Sequence, residues 1–116
     1  MPDQLEFLKY ENNAAANDFQ NAVKNYLLNP LESAEERQRA LSYLFESVTK
    51  YRTVLRAMRE YLHSMDESAS VTKQETIEQA IAAINIRDAA LERLLKRVGR
   101  LAADQAARSM AAPGGR

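Results

Sequence analysis

The sequence predicts an all-α fold, an elongated up-down-up antiparallel three-helix bundle with coiled-coil-like heptad packing. Three observations carry this. Apolar residues recur at alternating steps of three and four along three segments, and no stretch alternates with a period of two. Gly and Pro number only three each in 116 residues, too few for a turn-rich β fold. Helix-stopping stretches interrupt the pattern at two places, "NPLESAEE" and "DESASVTK". The predicted helices are therefore 3–28, 31–65 and 72–108. They form one domain over residues 1–108, with a disordered tail at 109–116, where "AAPGGR" ends the chain.

The first helix repeats Leu5, Leu8, Asn12, Ala15, Phe19, Ala22 and Tyr26. Pro30 disfavours helix at Asn29 and stops it. Ser33 and Glu36 have the spacing of a capping box that starts the second helix. Asn29 as cap with Pro30 in the first turn is the rival boundary. The second helix carries an unbroken stripe: Leu41, Leu44, Val48, Tyr51, Leu55, Met58, Leu62 and Met65. Thr72 and Glu75 offer a further capping box for the third, in which Ile77, Ile84, Leu91 and Val98 repeat every seventh residue. Ile81, Leu94, Leu95, Leu101 and Ala102 flank them. Short connections make successive helices antiparallel neighbours. Charges follow the helix dipoles: Glu32, Glu35 and Glu36 open the second helix, Glu75 and Glu78 the third, and Arg93, Lys96, Arg97 and Arg100 come late in the third.

Three polar residues interrupt the stripes: Asn12, Arg87 and Asp88. A polar side chain at a seam commonly sets register at some cost in stability, and that is the role expected of them.

Composition narrows function. There is no Cys, which removes thiol catalysis, disulfides and thiolate metal sites. The single His63 follows Glu60 by three residues, the spacing of half a carboxylate-bridged di-metal site. Such a site needs two Glu-x-x-His motifs facing the core. On a wheel of about 100° per residue, Glu60 points away from the core stripe and His63 lies a quarter turn off it. Both are expected in solvent. No Gly-rich phosphate loop is present, since the first Gly is Gly99. The reading is a non-enzymatic chain, without cofactor, metal or small-molecule substrate.

Sixteen basic and sixteen acidic residues cancel. No apolar run reaches the roughly 20 residues that span a bilayer. The start "MPDQLEFLKY" lacks the pattern of a cleaved signal, so the cytoplasm is expected, with signal-less secretion the other route.

The expected function is a protein–protein interaction module of adaptor, chaperone or regulator type, presenting a helix face to a protein partner or to its own copy. Its surface is assigned to Phe45, Ile86, Ala90, Arg93, Arg97 and Arg100, which lie off the core stripes. The alternative is a small nucleic-acid-binding bundle using Arg52, Arg56, Arg59, Arg93, Arg97 and Arg100. The first three share a face of the second helix at steps of four and three. Against it stand the neutral net charge and the lack of aromatics interleaved with these arginines.

Overall fold

The computed structural model describes residues 4–28, 30, 32–66 and 69–111, with side chains through Arg108. It contains three helices: α1 (Gln4–Leu28), α2 (Ala34–Asp66) and α3 (Val71–Ala111). They form an up-down-up bundle measuring 69 × 24 × 20 Å. No helix among the described residues is long and apolar enough to cross a membrane.

The helix ends differ from the predicted ones by a few residues. Helix α2 starts at Ala34 rather than 31, because Ser33 is its cap. The Ser33 Oγ accepts the Glu36 N–H at 3.0 Å and lies 3.2 Å from the Glu36 carboxylate. The rival cap, Asn29, lies outside the described residues. Helix α3 starts at Val71, and its cap is Ser70 rather than Thr72. The Ser70 hydroxyl accepts the Lys73 N–H at 3.4 Å, and the Gln74 side chain reaches back to the Asp66 carbonyl at 3.0 Å. The Ala69 N–H closes on that same carbonyl at 3.3 Å, so the chain turns early and a helix can begin before Thr72. Glu75 consequently falls beyond the first turn, which holds no acidic residue. At its far end α3 runs to Ala111, three residues past the predicted end. The rest of the predicted tail, 112–116, lies outside the described residues, as does the predicted helix start at residue 3.

Helix α2 is the central element. Its stripe of Leu41, Leu44, Val48, Tyr51, Leu55 and Leu62 is buried, with Met58 and Met65 half-buried beside it. Helix α3 sets Ile77, Ile81, Ile84, Leu91 and Val98 against it. Each of these larger aliphatic side chains contributes roughly 1.5–3 kcal/mol on burial. The α1 contribution is narrower. Only Leu8, Ala15 and Ala22 are fully buried, one every seventh residue, while Asn12, Phe19 and Tyr26 are half-buried. Ala40 and Ser47, also seven apart and buried, lie on the side of α2 turned from Arg52 and α3. The Ser47 hydroxyl donates to the Leu44 carbonyl at 2.9 Å, so it needs no partner across the seam. Small residues on both helices let α1 lie close against α2.

That choice of neighbour has a consequence. Helices α1 and α2 pack together, and so do α2 and α3. Among the described residues, however, no Cα of α1 comes within 8 Å of a Cα of α3. The bundle is closed along two seams and open along the third.

Candidate functional site: the open seam and the arginine face of α3

A groove runs between α1 and α3 over the side of α2. Its first depression, about 410 Å³, is lined by Ala16 and Phe19 of α1, Tyr51 of α2, and Arg87, Leu91 and Leu94 of α3. Its second, about 440 Å³, lies further along, between Tyr26, Leu41 and Leu101, with Arg37, Asp104 and Arg108 at its edges. The Phe19 and Tyr51 rings are tilted against each other with centroids 5.9 Å apart. The Arg87 guanidinium donates to the Tyr51 hydroxyl at 2.9 Å. Arg87 thus stands over the floor of the groove, where an apolar side chain would be needed to join α3 to α1. The buried Asn12 Oδ1, two turns before Phe19 on the same face of α1, has no hydrogen-bond partner among the described residues.

The face of α3 beside this groove is basic. Arg93, Lys96, Arg97 and Arg100 surround a third depression that shares Leu94 with the first. Lys96 pairs with Glu92 at 3.9 Å, whereas Arg93, Arg97 and Arg100 have no ion pair among the described residues. Ile86, 72% exposed, and the exposed Ala90 continue this face toward the start of α3. Ala90 also lines the groove.

The residues singled out in the sequence therefore fall into three places. Ala90, Arg93, Arg97 and Arg100 sit together at the rim of the open seam, with Ile86 one turn beyond. Phe45, 45% exposed, is elsewhere. It lines a shallow depression of about 220 Å³ with Val98, Gly99 and Ala102, on the α2–α3 seam. Gly99 lies thirteen residues from Ile86, roughly 20 Å along the helix. Phe45 and Ile86 do not form one patch.

The arginines of α2 have a third position, between helices. The Arg52 Nε lies 2.7 Å from the Asp88 Oδ1, with side chains only 13% and 14% exposed, and the Arg56 Nε is 4.0 Å from the other oxygen. The Arg59 Nη1 donates to the Asn85 Oδ1 at 2.9 Å. The hydrogen bond from Arg52, aided by the charges of Arg52, Arg56 and Arg59, holds the Asp88 carboxyl below its ordinary range, although burial opposes this. The same bond raises the Arg52 guanidinium above its ordinary value. These groups join α2 to α3. Arg87 and Asp88, the seam residues of α3, are thus partnered to Tyr51 and Arg52.

Glu60 and His63 are both exposed, as the wheel places them. Among the described residues, no three His, Asp or Glu side chains gather so as to hold a metal.

The groove was not legible as a site in the sequence. Phe19, Tyr51, Leu91 and Leu94 read as core. The available signal was the flank of the stripes, where Ala16 and Gln20 on α1, and Arg87 on α3, replace the large apolar residues that a closed seam needs.

No family model, curated protein or solved structure matches this chain.

Proposed function

We propose that this chain is a helical protein–protein interaction module, of adaptor, chaperone or regulator type, which presents a helical surface to a protein partner or to a second copy. The observation that carries this reading is the open α1–α3 seam. Aromatic and aliphatic groups line a groove that no helix among the described residues fills, beside the exposed Ile86 and Ala90. Grooves of this kind commonly receive an amphipathic helix. Composition supports the non-enzymatic side: there is no Cys, and the one His is exposed on α2. A cytoplasmic location goes with this reading.

Size exclusion coupled to light scattering, with retention of a co-purifying partner, tests it. Ile86→Asp and Ala90→Asp should each alter oligomer size or release the partner, while circular dichroism stays helical. If both folded variants behave as the parent, this surface does not bind and the reading falls.

Nucleic acid is the second reading, favoured by Arg93, Arg97 and Arg100, which surround one depression and have no ion pair among the described residues. Against it, Arg52 and Arg59 are engaged between helices. It requires binding that weakens steeply with salt and is lost on changing the three α3 arginines to Gln.

A further inference from the structure

We infer that the α1–α3 groove receives one amphipathic helix from another protein, with an apolar stripe flanked by acidic residues. The inference rests on the reading above and names the chemistry of the partner.

The first reason is register. Arg87, Leu94, Leu101 and Arg108 all line the groove from α3, each seven residues after the last. Phe19 and Tyr26, also seven apart, line it from α1. Helices α1 and α3 run parallel, so the two walls repeat in step. Rows of side chains at heptad spacing on two neighbouring helices form the holes into which the knobs of a further helix fit. The α2 residues that line its two depressions include Arg37 and Tyr51, the ends of a stretch of fifteen residues, roughly 21 Å or four helical turns.

The second reason is charge. The α3 wall begins at Arg87 and ends at Arg108, with Arg97 outside it. Asp104 is the one carboxylate among the residues lining these three depressions. The chain as a whole is neutral, so this bias is local. An entering helix with Glu or Asp beside its apolar stripe would meet guanidinium groups at both ends of the groove, and one with Lys or Arg there would be repelled.

A second copy of the chain is a poorer occupant. The exposed face of α3 is itself basic. The outer stripe of α1 places Ala14 and Asn21 between Phe7 and Leu28, where large apolar knobs would be required.

The test uses two labelled helical peptides of about 18 residues, five turns. They share one leucine stripe and differ only in carrying Glu or Lys on its flanks. Fluorescence anisotropy with the full chain should show the Glu peptide binding at least about tenfold tighter than the Lys peptide, with the gap shrinking as salt rises. The exposed double variant Arg97→Glu/Arg108→Glu should reverse the preference. Equal binding of both peptides, or stronger binding of the Lys peptide, overturns the inference of an acidic-flanked partner while leaving the broader interaction reading intact. Binding of neither peptide overturns the inference, and the Ile86→Asp and Ala90→Asp experiment then decides the broader reading separately. A dimer that Ala90→Asp converts to a monomer assigns the groove to a second copy. An RNA oligonucleotide that displaces the Glu peptide from the parent, but does not bind the double variant, assigns it to nucleic acid. Either result overturns the inference.

Discussion

The Arg52 Nε sits 2.7 Å from the Asp88 Oδ1, in a pocket where both side chains are mostly hidden from water. It is the most buried ion pair between helices among the described residues, and it joins positions 36 apart in sequence. Its geometry carries two predictions.

Asp88→Asn should cost about 2 kcal/mol, because it leaves Arg52 with a weaker acceptor and an uncompensated charge. Replacing both partners, as Arg52→Met/Asp88→Leu, should recover most of that loss, since a well-packed apolar pair avoids desolvating two ions. Urea unfolding of the parent and the two variants checks this. If the double replacement is as unstable as Asp88→Asn, packing does not substitute for the pair.

The pH dependence has a definite sign. The Asp88 carboxyl is held below its ordinary value, so the folded state releases its proton more readily than the unfolded one. Its contribution is complete above the unfolded value of about 3.9 and disappears as pH falls through the depressed folded value. The difference in unfolding free energy between the parent and Asp88→Asn should therefore be flat near neutrality and shrink in acid. A gap unchanged down to pH ~2 would contradict the pairing.

Gly99 lies inside α3 with a negative φ, and a Cβ built there meets nothing within 4 Å. Gly99→Ala should stabilise the chain by up to about 1 kcal/mol through helix propensity alone. A rise in melting temperature is the expected reading. A fall would mean that the space beside Phe45 is narrower than the fold shows.

The caps separate two serines from a threonine. Ser33→Ala and Ser70→Ala should each cost about 1 kcal/mol, because each hydroxyl accepts an otherwise unpaired N–H. Thr72→Ala should cost much less, since Thr72 lies inside α3. Equal losses at Ser70 and Thr72 would restore the later helix start.

The close seam of α1 makes a further demand. Ala22 is fully buried, and Ala22→Leu should destabilise by roughly 1–3 kcal/mol through overpacking. Hydrogen exchange should then accelerate first in α1. If exchange rises evenly over all three helices, α1 is not a separately docked element.

Much of this protein was legible in its residues. Three heptad stripes, few Gly and Pro, and Ser33 ahead of Glu36 were enough for three antiparallel helices. The wheel placed Glu60 and His63 in solvent, because a helix has one period and the core stripe marks its inner side. Periodicity tells each helix which face to bury, but not against which neighbour, or whether every seam closes. Those outcomes depend on side-chain volumes meeting across space. Small residues on α1 and α2 draw α1 onto one side of α2, and Arg87 holds polar ground over Tyr51, so α1 and α3 stay apart. Pairing is likewise a matter of distance between chain segments. Arg52, Arg56 and Arg59 share a face of α2 as a row of charges, and only the packed bundle turns that face to Asp88 and Asn85.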